Sequence, residues 1–313
     1  MTVREPDRTA ALRCPEWPVT AARRRDPALA GVPVAVVARG TRGMVVRAAS
    51  AEARAEGVAR GLRKREAEAR CAGIVVLEAD PAGDARAFEA VVRAVERHVP
   101  HLVLHEPGAL SFATRGPARY FGGDDALAAL VLDTVAAVGV TDASLGIAGG
   151  VFAAGLAAGL AAEPRLHVVT PGATVEFLAG WPVSVLAGPV DASYGDGNAL
   201  VDLLARLGLR TLGDFAALPE SAVIARFGPP GVLAHRLARG EPGHEPVARA
   251  VPAELVETME LDPPATRVDE AAFAAKALAD RLLGRLDAMG CCCTRVVVEA
   301  ETEHGERLTR CWR

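Results

Sequence analysis

The sequence predicts an α+β protein of several domains, and three observations predict it. The hydrophobic patterns of the first half run strand, helix, hairpin, helix, strand, an order that suits a ferredoxin-like layer of helices on one mixed sheet. Beyond Pro164 the texture changes to short helical stretches broken by Gly and Pro. After a polar stretch, Glu241 to Pro252 (EPGHEPVARAVP), which reads as a linker, strand and long-helix patterns return. A chain of 313 residues has room for two or more separate cores.

Taken in order, Ala10 to Cys14 is a short strand, ended by Pro15 and again by Pro18, which lack the N–H a central strand needs. Asp26-Pro27-Ala28-Leu29 reads as a turn or short helix, Val32 to Val37 as a buried strand and Met44 to Arg47 as a shorter one. Ala51 to Glu56 is a helix ended by Gly57, Leu62 to Cys71 a second helix, and Ile74 to Leu77 a strand. In Ala85 to His98 the residues Phe88, Val91, Val92 and Val95 recur at helical spacing, continued by Val99, and Pro100 stops the pattern. A hairpin follows. Leu102 to Leu104 is apolar, Pro107-Gly108 is a turn, and Leu110, Phe112 and Thr114 alternate on one face. Asp124 is expected to cap a helix striped by Leu127, Leu130, Val131, Val135 and Val138 and closed at Gly139, before a strand at Ala143 to Ala148. The Ala- and Gly-rich run from Gly146 to Ala162 reads as a tightly packed buried helix.

Further on, Ala199 to Leu207, Thr211 to Leu218 and Ser221 to Phe227 are helical. The Gly208 to Phe215 turn has the form of a helix-hairpin-helix, whose backbone N–H groups could meet a phosphate, or of an ordinary helical hairpin. The tail is expected to hold a strand at Leu255 to Leu261, a helix at Asp269 to Met289, and strands at Arg295 to Ala300 and Arg307 to Trp312, and it reads as incomplete.

Composition excludes several classes. A formal charge of −4 argues against a protein that grips duplex DNA through an overall basic surface, because phosphate neutralisation supplies most of such affinity. The local clusters Arg23 to Arg25 and Arg60 to Arg65 read as solvated helix faces. No apolar run approaches the ~20 residues of a membrane span, and the opening MTVREPDRTA has no signal-peptide core, so the expectation is a cytoplasmic protein. The six Cys, with Cys291 to Cys293 adjacent, follow neither disulfide nor zinc spacing and read as buried free thiols.

Five segments, met in the right order, resemble the Y-family translesion DNA polymerases. They are DPALAGVPVAV from Asp26; Glu52-Ala53-Arg54 with Gly57-Val58 and Cys71; Gly146-Ile147-Ala148 with Phe152 and Leu156; GLRTLGDFAALP from Gly208; and Arg226-Phe227-Gly228 with the later LARG. The resemblance implies a right-handed multi-domain fold. Its ferredoxin-like palm would take residues 1–16 and 78–168, small fingers 17–77, a helical thumb 169–240, a linker 241–252 and an incomplete little-finger α/β domain 253–313.

Laid onto this chain, the family's metal-binding carboxylates fall on Arg13, Gly108 and Ala109, and the residue whose backbone helps hold metal falls on Pro15. The aromatic pair beside the sugar falls on Trp17-Pro18, and the triphosphate-contacting Tyr and two Lys fall on Ala51, Val151 and Glu163. Arg54 alone of the nucleotide contacts is kept. An Arg at a metal site costs roughly 4 kcal/mol for one like charge at ~4 Å and an effective dielectric near 20. An ion pair from Arg13 to Glu106 would be a local repair.

Together with the Cys14-Pro15-Glu16-Trp17-Pro18 start, ARYFGG and the closing GERLTRCWR, the pattern is similar to the ImuB type within the family. That resemblance implies no enzyme, no metal and no cofactor, but an adaptor in damage-induced mutagenesis. Its partners would be the sliding clamp, an error-prone C-family polymerase and an ImuA-type accessory protein. No glutamine-led clamp-binding peptide is found, so clamp binding would need a segment outside this chain. Weak, salt-sensitive DNA contacts are assigned to Arg210, Arg226, Arg295, Arg307 and Arg310, without involvement of a membrane. The alternatives are a divergent active polymerase using Glu16, Glu106 and Asp124 or Asp125, and a non-catalytic primer–template-binding module.

Overall fold

The computed structural model describes residues 7–40, 43–99, 101–161, 165–195, 197–242, 256–288 and 296–312. They fall into two compact units, Met1–Pro242 and Gly243–Arg313. The first unit runs β1 Arg8–Arg13, α1 Trp17–Arg25, β2 Val34–Gly40, β3 Gly43–Ala49, α2 Ala51–Ala55, α3 Lys64–Arg70, β4 Val75–Glu78 and α4 Pro81–Glu96. It continues through β5 Val103–Glu106, β6 Ala109–Ala113, α5 Arg115–Phe121, α6 Asp124–Ala137, β7 Ser144–Gly149, α7 Val151–Leu160 and β8 Leu166–Val168. A helical group closes it, α8 Thr174–Ala179, α9 Ala187–Tyr194, α10 Gly197–Arg206, α11 Leu212–Ala216 and α12 Glu220–Ala238, the last kinked at Gly228 before Pro229-Pro230.

The larger sheet has the order β5-β6-β1-β7-β8, with β1 antiparallel to both neighbours and β8 parallel to β7. This is the expected ferredoxin-like order with one strand added. One face is covered by α4 and α6, whose Phe88, Val91, Val95, Leu127, Val131 and Val135 meet Leu12, Leu110 and Ile147. The other face is covered by α7, which approaches so closely that a Cβ built on Gly146 would stand 2.2 Å from Ala154 O and from Ala158 N. Only small residues allow this. Ala11, Ala148, Ala153, Ala154 and Ala157 join the core of the helical group, where Leu186, Leu204, Leu212 and Phe215 are fully buried. The Gly146 to Ala162 run is therefore not one helix; it divides at Gly150, φ 81°, into the end of β7 and all of α7.

A smaller sheet, order β3-β2-β4, forms a lobe. Strands β2 and β3 are antiparallel with a bulge between Val36 and Val37, and β2 and β4 are parallel. The α2–α3 layer covers one face through Ala53, Val58, Ala67 and Cys71, and α1 covers the other through Val19 and Ala22. Of helix α1 the sequence pointed only to its Arg23 to Arg25 end, read as a solvated helix face although Arg23 and Arg24 are bonded within the fold, and Pro15 and Pro18 read only as strand breakers. Pro18 instead sits in the first helical turn, where its missing N–H has no partner to lose. The helix has two apolar faces and joins the sheets, since Trp17 and Ala21 enter the larger core while Val19 and Ala22 enter the lobe.

Two smaller expectations also change. Gly123, not Asp124, stands at the cap of α6, and Asp124 lies in its first turn. In the second unit, α13 Val268–Ala288 and the antiparallel pair β9 Val296–Glu301 and β10 Arg307–Trp312 appear as expected, but residues 256–261 form no strand. Those residues lack a pairing partner within the described part of the unit. Cys14 and Cys71 are buried free thiols, and burial pushes the Cys14 thiol up to about 12, whereas Cys291 to Cys293 lie outside the described residues. No helix among the described residues is long and apolar enough to cross a membrane.

Candidate functional site

Strand register builds the site. Glu106 pairs with Ala109, Ala109 with Arg13, and Arg13 with Ser144, so these four residues form a row across one end of the larger sheet. Arg13 is exposed, and a Cβ built on Gly159, next to the C-terminal residue of α7, would lie 3.4 Å from Arg13 Nη1. A cation near a helix C-terminus is electrostatically favoured. The expected ion pair with Glu106 does not form. Two strand spacings, about 10 Å, separate the two backbones, and Arg13 leans toward α7 instead.

Gly108, where the resemblance places a carboxylate, sits at the hairpin tip. Gly108 has φ 99°, its carbonyl accepts from Cys14 N at 2.7 Å, and a Cβ there would fall 2.6 Å from Trp17 Cβ. No larger residue fits that position. Trp17 is itself turned away from any pocket. It is 2% exposed, its Nε1–H donates to Asp84 O at 2.9 Å, Phe88 meets it edge-on at 4.9 Å, and the Arg24 guanidinium lies 5.5 Å over its ring.

The other carboxylates named as replacements are engaged or scattered. Glu16, with φ 49°, accepts from Ala49 N at 2.8 Å and so ties α1 to the end of β3. Asp124 pairs with Arg8, whose Nη2 also donates to Val169 O at 2.7 Å. Glu106 and Asp125 are exposed. Among the described residues no group of three His, Cys, Asp or Glu side chains is placed to hold a metal ion. The end of the sheet offers Glu106 as its one carboxylate and the Ser144 hydroxyl beside the Arg13 cation, which does not fit a pair of Mg2+ ions, since these need several oxygen ligands.

Arg54 is exposed on α2, a helix capped by Ser50 Oγ, which accepts from Ala53 N and from Val34 N. Val151 begins α7 and is 44% exposed, while Glu163 lies outside the described residues. Of the assigned DNA contacts, Arg210 and Arg226 are exposed in the helical group, Arg307 pairs with Glu301 at 3.0 Å, and Arg310 lies opposite Val298. Arg295 lies outside the described residues. The turn before α11 is fully bonded within the fold. The Gly208 and Leu209 N–H groups donate to Ala205 O and Leu204 O, Arg210 and Thr211 N–H to Asp214 Oδ2, and Leu212 N–H to Trp181 O. Bonding with the Thr211 side chain and from the Thr211 and Arg210 N–H groups holds the Asp214 carboxyl below its usual range. None of the five N–H groups is left for a phosphate.

Residues 13–159 match the impB/mucB/samB family. DNA polymerase IV of Methanoculleus marisnigri is 33% identical over 222 residues, 69% of this chain and 59% of that protein. DNA polymerase IV 2 of Mesorhizobium japonicum is 29% identical over 204 residues, 65% of this chain and 46% of that protein. DNA polymerase IV 2 of Mycobacterium tuberculosis is 29% identical over 297 residues, 89% of this chain and 79% of that protein. The chain thus spans 46% and 59% of the length of the Mesorhizobium and Methanoculleus proteins. Among solved structures, DinB from Sulfolobus solfataricus superposes with a TM-score of 0.59 at 15% identity, over 98% of this chain and 87% of that one. An insertion ternary complex of Dbh DNA polymerase gives 0.62 at 14% identity with the same coverage. The expectation that the chain is not an enzyme is corrected by these relatives, which carry the name of a polymerase along two thirds or more of this chain in two cases. That expectation rested on three positions, and the similarity to named enzymes extends well beyond them.

Proposed function

We propose that this chain, whose residues 13–159 match the impB/mucB/samB family and which has the fold of the Y-family DNA polymerases, is a member of that family with a role in translesion DNA synthesis on primer–template DNA. The observation that carries it is the continuous similarity to DNA polymerase IV, 33% identity over 222 residues. In this reading residues 1–16 and 78–168 are the palm, 17–77 the fingers, 169–240 the thumb, 241–252 a linker and 253–313 the little finger. Arg54 faces the nucleotide, Arg210, Arg226, Arg295, Arg307 and Arg310 approach the DNA, and the protein works in the cytoplasm. No chemical step is derived through metal at the Arg13 row, because the residues there do not fit one.

A second reading is favoured by one observation, the hairpin tip at Gly108, where a carboxylate cannot be accommodated. The chain would be an ImuB-type mutasome subunit that brings a C-family polymerase, an ImuA-type protein and the sliding clamp to the lesion, as a scaffold for their synthesis.

Primer extension with Mg2+ and then Mn2+, beside primer–template binding by fluorescence anisotropy, tests both. Extension that an Arg54→Ala substitution weakens selects the polymerase reading. Binding without extension, with capture of the C-family polymerase, selects the scaffold. A protein that neither binds nor extends a primer–template would sink both readings.

A further inference from the structure

Charge in this molecule is segregated. Residues 17–77 hold twelve Arg and Lys against five Asp and Glu, a net of +7 in a chain whose total is −4. Part of the excess converges on one edge of the small lobe. The segment Gly61 to Arg63 lies along the outer side of β3, with Gly61 N–H donating to Val46 O and Val46 N–H to Leu62 O, both at 2.8 Å, and Arg63 bridging Val45. On the inner side of β3, Arg39 of β2 pairs with Met44. Arg47 follows Val46 on β3, and Arg60 directly precedes the paired segment. Four arginines, Arg39, Arg47, Arg60 and Arg63, thus stand on three adjacent chain segments, with neighbouring backbones about 5 Å apart.

All four are exposed, and none forms an ion pair among the described residues. Three acids of the lobe are bonded within the fold. Glu66 accepts from Arg63 N–H at 3.1 Å, Glu68 pairs with Lys64 at 3.8 Å, and Glu52 pairs with Arg23 at 2.8 Å. Like charges gathered in excess over carboxylates repel one another and attract a polyanion. The recognition would be of backbone alone, because no Phe, Trp or Tyr occurs between residues 18 and 87 to stack on a base.

We propose that this edge is a nucleic-acid contact in its own right, in which Arg39, Arg47, Arg60 and Arg63 hold the DNA phosphodiester backbone without reading sequence. The proposal rests on the reading that the chain works on DNA, and it adds a surface that reading does not assign. Arginine suits it, since the planar guanidinium binds phosphate oxygens in pairs and keeps its charge at any physiological pH. It also removes a conflict, because the whole-chain charge that argued against DNA binding averages a basic lobe with an acidic remainder.

The test uses the full chain, with a single-stranded oligonucleotide and a duplex as separate probes, in fluorescence anisotropy between about 50 and 200 mM salt. The variant R39E/R47E/R60E/R63E is compared with R86E/R93E/R97E/R119E, which makes the same change in total charge on other exposed positions. The lobe variant is expected to bind at least tenfold more weakly at low salt and to flatten the log–log salt slope by roughly 3, about one for each phosphate no longer neutralised. The comparison variant should weaken far less. Whichever probe shows the larger difference identifies the strand form that is held. If the lobe variant binds as the wild type does, or if both variants weaken equally, the proposal for the lobe is overturned while the role on DNA stands. If the wild type binds neither probe, the role on DNA fails first and the proposal for the lobe with it. Should the fourfold reversal unfold the lobe by circular dichroism, R47Q/R60Q reads the same slope, with an expected flattening of about 1.5.

Discussion

The five-stranded sheet and the three-stranded lobe share α1, yet they are built for different surroundings. The centre of the larger sheet is buried on both faces, by α4 and α6 on one and by α7 at backbone contact on the other, and β7 is buried along its whole length. In the lobe, the apolar faces are small and the edge carries arginines that form no ion pair among the described residues. Packing therefore limits what substitution the first can accept, while electrostatics governs the second. Substitutions should separate accordingly, as large losses of stability in the sheet and as changes of binding in the lobe.

The largest effect is expected at Gly146. Replacement by Leu drives a side chain into the backbone of α7 and should cost about 3 kcal/mol or more, or prevent folding, in urea denaturation. Gly155, on the open side of the same helix, gives the contrast: Gly155→Ala meets nothing within 4 Å and should raise stability by about 0.5–1 kcal/mol. A Gly146→Leu protein as stable as the wild type would show that α7 does not lie on the sheet. Next comes Trp17→Ala, which empties a site at the junction of sheet and lobe and removes the bond to Asp84 O, with an expected loss of about 3–5 kcal/mol. Arg8→Ala leaves Asp124 and Val169 O without their donor and should cost about 2 kcal/mol by thermal unfolding.

A smaller effect is pH-dependent and belongs to the lobe. Bonding from Ser50 and from backbone, helped by Arg23, lowers the Glu52 carboxyl from 4.5 to about 2. A depressed folded-state value means that the unfolded chain binds the proton more readily. The contribution of Glu52 is thus fully present above about pH 4.5 and is lost as pH falls toward about 2. In Glu52→Gln, the acid limb of stability against pH should be shallower over that window; an unchanged limb would remove Glu52 from the junction. The smallest change in stability is expected for Arg47→Gln, within about 0.5 kcal/mol, with a measurable loss of DNA affinity as its only consequence.

Much of the fold was legible along the chain. Strand β1, the hairpin with its Pro107-Gly108 turn, and the stripes of α4 and α6 follow from spacings within a few residues. The start of helix α1 was not legible, because its apolar residues serve two cores and blur a single stripe, and because Pro18 carries opposite meanings in a strand and in a first helical turn. The expected strand at 255–261 had apolar residues but no partner to pair with among the described residues. For the site, the places of Arg13, Gly108 and Ala109 at one sheet end agree with the register, but the Arg13–Glu106 ion pair failed because sequence proximity to a hairpin says nothing about which helix a side chain meets.

By itself the sequence determined most strands and helices of the first unit, together with a family resemblance and the positions, Arg13, Gly108 and Ala109, that this resemblance assigns to carboxylates. These depend on local periodicity, turn chemistry and residue identity, all of which can be read without coordinates. Tertiary structure alone decided that Gly108 must remain without a side chain under Trp17, that the turn before α11 spends its N–H groups internally, and that four arginines from three chain segments share an edge. Each of those outcomes depends on distances between segments remote in sequence, and close packing and electrostatic repulsion act through space rather than along the chain.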